Sequence, residues 1–247
     1  MTPTLQVWAT TDVGCVRHHN EDALCLGSQV VTDQAHWSGE STLTLDVPHL
    51  LAVVDGMGGH RGGNEASASV ASSISKLHVQ FAPSAEAAQS LLDLTNEQLH
   101  VMSSNDPGLC AMGATVAAIW CHEHGGVCMN VGDSKVFRFD AGYLNQRSDD
   151  HVVVTPEGRR SLSQSMGGTT DLRKVRPCVK LERLKPGRRY LLCTDGLTDE
   201  VSLDRLEQLM TLPPPKALEA MLQEAKSAGG HDNISIIIAE VHPGGTE

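Results

Sequence analysis

The chain has 247 residues, 40% of them apolar, so it is long enough to bury a substantial core. Its formal net charge of −11 argues against nucleic acid or an anionic membrane surface as a partner. No Pro-, Ser- or Gly-rich linker divides it, and we expect a single domain over residues 1–247 that acts as a monomer.

Targeting and redox features favour a cytoplasmic protein. The first residues, MTPTLQVWATTDVG, lack a basic region followed by an apolar one, and no stretch reaches the roughly 18 apolar residues that cross a membrane. The seven cysteines are odd in number and include no C-x-x-C pair, a pattern typical of reduced and mostly buried thiols. We therefore expect a cytoplasmic location and no membrane partner.

The first quarter of the chain contains short strands. Residues 5–10 alternate as an edge strand does, and residues 23–26 form a second strand. Residues 28–48 are polar and predict an excursion or an irregular hairpin. Residues 50–54 are apolar without alternation, the pattern of a strand buried on both faces, and Asp55 follows where this strand leaves the core.

A pair of helices comes next. Apolar residues spaced by three or four positions predict helices over residues 66–77 and 88–102, and the second starts after Pro83 and Ser84. From residue 113 the apolar period changes to two, which predicts antiparallel strands joined by short turns. These strands cover residues 114–120, 127–131, 136–139 and 143–146.

The second half of the chain contains further strands and a second pair of helices. Residues 175–181 and 189–194 predict strands, residues 203–210 and 217–225 predict amphipathic helices, and residues 234–241 predict a final strand. Two groups of strands, with a helix pair after the first and before the last, indicate two packed antiparallel sheets flanked by helices. The expected class is α+β, a sandwich of four layers in the order α-β-β-α.

Three acidic residues stand at the ends of predicted strands. Asp55 and Asp195 each follow an apolar strand and precede a glycine, and Asp232 comes just before the last strand. If these strands are neighbours, the carboxylates meet at one rim, where two like charges about 4 Å apart repel by roughly 4 kcal/mol at an effective dielectric near 20. For a single Asp a helix N-cap is the simpler interpretation. The glycines after Asp55 do not have the spacing of a dinucleotide-binding loop.

Such a cluster needs cations, and its donors favour a hard divalent metal. Oxygen-only ligation suits Mg²⁺ or Mn²⁺. Two such ions about 3.5 to 4 Å apart can share a water, lower its pKa and align it with a phosphorus atom, which indicates hydrolysis. No Cys is followed six residues later by Arg, so the chemistry of a thiolate phosphatase is not expected.

Six short motifs occur in order over nearly the whole chain. They are R-H-H-N-E-D at 17–22, V-V-D-G-M-G-G-H at 53–60, G-A-T at 113–115, N-V-G-D-S at 130–134, C-T-D-G-L-T-D at 193–199 and G-H-D-N at 230–233. Together they resemble the metal-dependent, type 2C (PPM) protein phosphatase family in its bacterial form. The resemblance implies two central sheets between helix layers, and removal of phosphate from phosphoserine or phosphothreonine in proteins.

The same resemblance implies a set of ligands for two ions, Mn²⁺ or Mg²⁺, and for a third, weaker one. The ligands would be Asp55 bridging the pair, Glu21 and the Gly56 carbonyl on one ion, Asp195 and Asp232 on the other, and Asp133 with Asp195 on the third. Arg17 would hold the substrate phosphate, a role suited to a fork of donors, and is with Asp55 the expected catalytic residue. Asp22 and Asn233 would orient metal-bound waters from outside the ligand set.

The chain departs from the family pattern in three places. Lys135 stands where Arg usually follows Gly-Asp-Ser. Met57 takes the place of the histidine proposed as general acid in animal and plant members, so no acid is assigned. The flap near residues 152–168 is shorter than in most bacterial members, and we expect substrate selection to differ while catalysis survives.

Other interpretations remain open beside a Ser/Thr phosphatase that acts on phosphorylated proteins and opposes a Ser/Thr kinase. A catalytically inactive binding or regulatory module is the main alternative, although a scaffold has no need of clustered charge. A two-metal nuclease or small-molecule phosphoesterase is disfavoured by the acidic composition. Zinc at residues 121–124 is disfavoured because successive strand side chains point to opposite faces. Arg159 and Arg160 fit a solvated basic loop better than a site for phosphate or for acidic substrate segments.

Overall fold

The computed structural model of the protein describes residues 2–58, 60–156, 158 and 160–244. In chain order its elements are β1 (Thr4–Asp12), β2 (Asp22–Leu26), β3 (Gln29–Val31), β4 (His36–Thr44), β5 (His49–Met57), α1 (His60–Leu77), α2 (Ala85–Asn105), β6 (Gly113–Ala114), β7 (Val116–His122), β8 (Gly125–Val131), β9 (Lys135–Asp140), β10 (Tyr143–Gln146), β11 (Val152–Val154), β12 (Arg160–Leu162), β13 (Met166–Gly167), β14 (Cys178–Glu182), β15 (Arg189–Cys193), α3 (Asp195–Thr198), α4 (Leu203–Leu209), α5 (Pro214–Ala228) and β16 (Ile234–His242).

Two antiparallel sheets form the centre of the molecule. The first has the strand order β10-β9-β15-β16-β1-β4. The second has the order β13-β6-β5-β7-β8-β14, with β2 also beside β5 and β3 beside β2. Helices α1 and α2 pack on the second sheet, and α3, α4 and α5 cover the first. The expected four-layer α-β-β-α sandwich is confirmed, with the single turn of α3 added to the predicted helices.

Strand β5 shows why the central strands are apolar without alternation. Leu50, Ala52 and Val54 pack in the layer formed with α1 and α2, whereas Leu51 and Val53 face the other sheet. Both faces of the strand are therefore buried, and each large side chain fully buried in this way contributes roughly 1.5 to 3 kcal/mol. The end of β5 is held rigidly by this packing.

The edge of the first sheet differs from the prediction. Residues 36–44 form the regular strand β4 rather than an irregular excursion, and β4 pairs with β1 along its whole length, from Thr4 opposite Thr44 to Asp12 opposite His36. Strand β1 is thus internal and β4 is the edge. The side chains of β4 alternate between exposed and half-buried, because the strand covers the core on one face only. Its polar composition, which suggested a loop, is what an exposed edge strand tolerates.

The flap consists of a small hairpin and a returning segment. Strands β11 and β12 form a separate two-stranded sheet, and β13 then pairs with β6, which pairs with the end of β5. The flap is therefore hydrogen-bonded, through β6, to the strand that carries Asp55. The strand predicted over residues 175–181 begins later, at Cys178, because the residues before it complete the flap.

The cysteines form no disulfide. Four are buried and Cys178 is half-buried, whereas Cys15 and Cys110 are exposed. Within the described part of the chain, no helix is long and apolar enough to cross a membrane.

Candidate active site

Two strands place carboxylates face to face at one rim of the molecule. Strands β2 and β5 pair with Asp22 directly opposite Asp55. Asp22 is 1% exposed and accepts a hydrogen bond from the Thr194 hydroxyl at 3.0 Å. Burial, and after it the charges of Asp195 and Asp232, raise the pKa of Asp22 to about 7. Because like charges directly opposite destabilise a strand pair, this register requires a compensating charge.

Asp55 lies at the centre of the cluster. Burial of its carboxyl, and the carboxylates around it, raise the pKa of Asp55 well above the usual range. The charges that act on it are those of Asp22, Asp195, Asp232 and Asp133. Its backbone is fixed, since the Thr115 amide donates to the Asp55 carbonyl at 2.8 Å. The carboxyl group is thus held in place while it faces a cavity.

The G-A-T and G-D-S motifs meet in space. The Thr115 and Ser134 hydroxyl oxygens are 2.6 Å apart and buried. Lys135 donates to the Asp133 carbonyl at 2.9 Å and lies 3.1 Å from an Asp150 carboxylate oxygen. Burial raises the pKa of Asp133 although the Lys135 charge opposes this. Lys135 therefore fixes the turn that carries Asp133.

Asp195 begins the one-turn helix α3. Burial, and after it the charge of Asp133, raise the pKa of Asp195 to about 7. The next residue, Gly196, lies so close to the Asn233 carbonyl that a Cβ would overlap it. This close approach packs the start of α3 against the segment that carries Asp232.

The loop between β1 and β2 brings a cation to the same rim. Arg17 donates from Nη2 to Asp232 Oδ2 at 2.6 Å, and the two side chains are 53% and 41% exposed. This hydrogen bond raises the pKa of Arg17, and the charges of Glu21 and Asp55 add to the effect. An exposed guanidinium keeps donors that can pair with an oxyanion.

Asn233 anchors this loop. Its Oδ1 accepts from the Glu21 amide at 2.8 Å, and its Nδ2 donates to the carbonyls of Val13 and His19, both at 3.0 Å. Asn233 therefore fixes the backbone on both sides of Arg17. Its expected role in orienting metal-bound water stays a prediction.

Two glycines allow Glu21 to reach the rim. A Cβ on Gly56 would overlap the carbonyl oxygens of Gly63 and Glu21, and a Cβ on Gly63 would overlap the Glu21 carboxylate. Only glycine permits such approaches of backbone to neighbouring groups. The first turns of α1 therefore lie directly against Glu21 and the end of β5.

A cavity of about 500 Å³ opens over these groups. The expected site residues that line it are Arg17, Glu21, Asp55, Gly56, Asp232 and Asn233, together with Val16, His18, His19, Met57 and Gly58. Asp22, Asp133 and Asp195 lie outside the lining and act on Asp55 through their charges. Among the residues that the structure describes, no three His, Cys, Asp or Glu side chains already stand together as a metal site. The carboxylates surround the rim without closing on one point.

The residues present nevertheless fit divalent cations. Six carboxylates gather here, namely Glu21, Asp22, Asp55, Asp133, Asp195 and Asp232. Arg17, Lys135 and Arg160 are cationic side chains that act on them, and the raised pKa values of Asp22, Asp55 and Asp195 mean that this compensation is incomplete. Oxygen donors in a cluster of excess negative charge suit Mg²⁺ or Mn²⁺.

The hydroxyl groups that support the carboxylates escaped the sequence analysis. Thr194 donates to Asp22 and accepts from the Ser235 amide at 3.1 Å, and Thr115 pairs with Ser134. Each lies within a motif, so the signal was present. In a strand, however, Thr is also favoured for its β-branched shape, and the pattern alone does not separate the two roles.

A comparison of the sequence with models of known protein families identifies the family of this chain. The model described as Protein phosphatase 2C matches residues 28–231. The chain belongs to the protein phosphatase 2C family. The resemblance carried by the six motifs is thereby confirmed.

Named relatives of this phosphatase 2C chain are bacterial. It is 28% identical over 257 residues to the serine/threonine protein phosphatase PstP of Mycobacterium tuberculosis, covering 98% of this chain and 46% of PstP, so it spans about half of that relative's length. It is 28% identical over 250 residues to the serine/threonine phosphatase stp of Listeria monocytogenes, covering 93% of each. The crystal structure of the PstP catalytic domain in complex with 2 manganese ions matches with a TM-score of 0.79 at 27% identity, covering 98% of this chain and 100% of that one.

Proposed function

We propose that the protein is a metal-dependent phosphatase that hydrolyses phosphoserine and phosphothreonine in proteins. The observation that carries this proposal is the cluster of carboxylates around Asp55, which faces Arg17 across a cavity in a protein phosphatase 2C fold. The two manganese ions of the PstP structure support a binuclear Mn²⁺ or Mg²⁺ centre at the corresponding rim.

The ligand set proposed for this centre is the one expected from the sequence. Asp55 would bridge two ions, held further by Glu21 and the Gly56 carbonyl on one side and by Asp195 and Asp232 on the other, and Asp133 with Asp195 would hold a third, weaker ion. Such a centre supplies Lewis acidity and a water of lowered pKa for attack on phosphorus. Asp22 supports it from behind, because its carboxyl is held by Thr194 opposite Asp55.

Arg17 binds the phosphate of the substrate. Its guanidinium can offer two parallel donors to two phosphate oxygens, and in this geometry its position is set by the loop that Asn233 anchors. The hydrogen bond between Arg17 and Asp232 uses one guanidinium nitrogen and one carboxylate oxygen, so Arg17 keeps donors for a phosphate and Asp232 keeps lone pairs for a metal ion. Met57 lines the cavity where some relatives have a histidine, and its thioether cannot donate a proton, so we assign no general acid.

Hydrolysis of p-nitrophenyl phosphate tests the proposal against an inactive binding module. We expect turnover with Mn²⁺ that is lost with a chelator and restored when the metal is returned. A folded protein that shows no turnover with either Mn²⁺ or Mg²⁺ would support the inactive module instead.

Asp55→Asn tests the bridging role. We expect a loss of turnover of at least about a hundredfold, because the variant removes a ligand charge from the centre. Asp204→Asn, a change of the same chemistry at an exposed position in α4, serves as the control. Circular dichroism checks the fold of both variants, and near wild-type turnover by metal-loaded Asp55→Asn would refute the role.

The proposed partners are phosphorylated proteins and a cognate Ser/Thr kinase in the cytoplasm, with the phosphatase acting as a monomer. The names of the relatives support a phosphoprotein substrate. A phosphothreonine peptide and single- and double-stranded nucleic acid can be compared as substrates. The nuclease alternative is excluded if the peptide is dephosphorylated and neither nucleic acid is cleaved. Phosphoproteomes with and without the protein would identify the substrates.

A further inference from the structure

The segment that completes the flap is positively charged in an acidic protein. Residues 160–180 contain five Arg or Lys and one Asp, whereas the net charge of the chain is −11. Three of the five have carboxylate partners: Arg160 with Asp150, Lys174 with Asp93 and Lys180 with Asp149. Among the described residues, Arg173 and Arg176 have no carboxylate within 4.0 Å. Arg159 of the predicted basic loop lies outside the described residues, as does Glu157.

A second cavity, of about 260 Å³, lies beside Arg173. Its lining combines Arg173 and Lys174 with the hydroxyl residues Ser163, Ser165 and Thr169, and no Asp or Glu in the described part of the chain lines it. Lys174 is partly neutralised, since its Nζ lies 4.0 Å from Asp93. Arg173 and Lys174 also line a neighbouring cavity with Asp93 and Glu97, and together they supply the positive charge available to a ligand in the second cavity.

Side-chain amides fix the walls of this second cavity. Gln164 accepts from the Arg176 amide at 2.9 Å and donates to the Arg176 carbonyl at 3.2 Å, which ties the two walls together. Asn96, which is 4% exposed, donates to the Arg173 carbonyl at 2.8 Å and accepts from the Gly167 amide at 2.7 Å. The backbone of Arg173 is thus held by α2 while its side chain remains exposed to solvent.

The second cavity shares a wall with the candidate active site. Gly168 lines the second cavity, and a Cβ built on it would lie 3.6 Å from the Met57 Cε. Met57 in turn lines the cavity over Asp55. A polypeptide that places its phosphorylated residue at Asp55 can therefore reach the second cavity with a neighbouring side chain.

We propose that the second cavity binds an acidic side chain of the phosphoprotein substrate, at a position flanking the phosphorylated residue. The Arg173 guanidinium pairs with the carboxylate, and Lys174 adds positive charge. This inference rests on the proposed function and names its substrate class, phosphoproteins with Asp or Glu near the phosphosite. The chain as a whole has a net charge of −11 and repels an acidic segment at long range, so the basic flap favours one orientation of that segment.

Matched phosphothreonine peptides test this inference. In the first set each peptide carries one Glu, at one of the positions from three residues before to three residues after the phosphothreonine. In the second set each peptide carries Gln at the matching position. For the wild type we expect kcat/KM to be higher with Glu than with Gln at one or two of these positions, because KM is lower while kcat is unchanged. In Arg173→Gln this preference should fall about two- to fivefold, the range for an ion pair at an exposed position.

Arg183→Gln is the control, because Arg183 is an exposed arginine at the far end of β14. It should keep the full preference for Glu, and p-nitrophenyl phosphate turnover measured in parallel normalises each preparation for active centres. Arg173→Glu should invert the preference. A wild type that dephosphorylates both peptide sets equally, or an Arg173→Gln that loses activity equally on both, would overturn the inference while leaving the proposed function intact. A wild type that dephosphorylates no phosphopeptide at all would instead overturn the proposed function.

Discussion

Gly62 and Gly63 are adjacent glycines, but they differ in the space that is available for a side chain. A Cβ on Gly62 would lie 3.5 Å from the Met112 Cβ, an ordinary contact, whereas a Cβ on Gly63 would overlap the Glu21 carboxylate. The sequence shows only that glycines follow Asp55. Which glycine permits a close approach depends on how α1 packs against the loop before β2, and that contact is between residues far apart in the chain.

Gly63→Ala should therefore weaken metal binding. The added methyl group displaces Glu21 from the rim, and we expect the affinity for Mn²⁺ to fall about tenfold, as when a ligand loses its orientation. Titration calorimetry with Mn²⁺ measures this. Gly62→Ala is the matched control, and it should keep the affinity while gaining a little helix stability. Equal affinities in the two variants would contradict the role given to Gly63.

At the scale of elements, Asp12 joins the end of β1 to two neighbours. Its carboxylate accepts from Lys226 of α5 at 2.9 and 3.0 Å and lies 3.0 Å from His36 of β4. The Gly14 amide also donates to it at 2.9 Å. Burial alone would raise the pKa of Asp12, but the hydrogen bonds from Lys226 and Gly14 outweigh it and leave the pKa below the ordinary value of 3.8.

The contribution of Asp12 to stability should depend on pH. Because its pKa is lowered in the folded state, the carboxylate stabilises the fold fully above pH 3.8, and this stabilisation is lost as the pH falls through the lower folded-state value. Urea unfolding of wild type and Asp12→Asn from pH 7 to pH 3 measures the difference. The difference in the free energy of unfolding between wild type and Asp12→Asn should be constant near neutral pH and should decrease only at the acid end of the range. A difference in the free energy of unfolding that does not change with pH would show that the charge of Asp12 does not stabilise the fold.

Elements were predictable from the sequence where both faces of a strand are buried. The runs at residues 50–54 and 234–241 identified β5 and β16, because burial on both sides leaves an unbroken apolar run. Strand β4 was missed for the opposite reason. Its hydrogen bonds to β1 are made by the backbone, and its exposed side chains carry no apolar pattern.

At the scale of the whole molecule, Glu182 connects the two sheets. It lies on β14 of one sheet, and its side chain is 1% exposed. It forms ion pairs with Arg147 and with Arg138 of the other sheet, the latter at 3.4 Å, and it accepts from the Tyr190 hydroxyl at 3.2 Å. No sequence motif marks these four residues, since their proximity arises only when the sheets pack. The candidate metal ligands, by contrast, lay in motifs that could be recognised one by one.

Glu182→Gln should destabilise the sandwich. Removing the carboxylate leaves Arg138 and Arg147 partly buried without their partner, and we expect a loss of roughly 2 to 3 kcal/mol in the free energy of unfolding, slightly less than for a fully buried pair. Urea unfolding at neutral pH measures it. Glu224→Gln removes the partner of Arg205 at an exposed position and should cost much less. Losses of the same size in both variants would argue against a bridge between the sheets.

Because the strand register places Asp22 opposite Asp55, the thermal stability of the protein should depend on how much metal is bound. The raised pKa values of Asp22 and Asp55 reflect a repulsion that the nearby Arg and Lys side chains compensate only in part, and bound divalent cations would relieve it further. The melting temperature should therefore rise with added Mn²⁺ and fall after dialysis against a chelator. At a hundred times the dissociation constant the gain is about 2.7 kcal/mol for one site. A differential scanning series in manganese and then in magnesium would rank the two metals without any substrate, and a melting point indifferent to both would mean that the paired strands need no such relief.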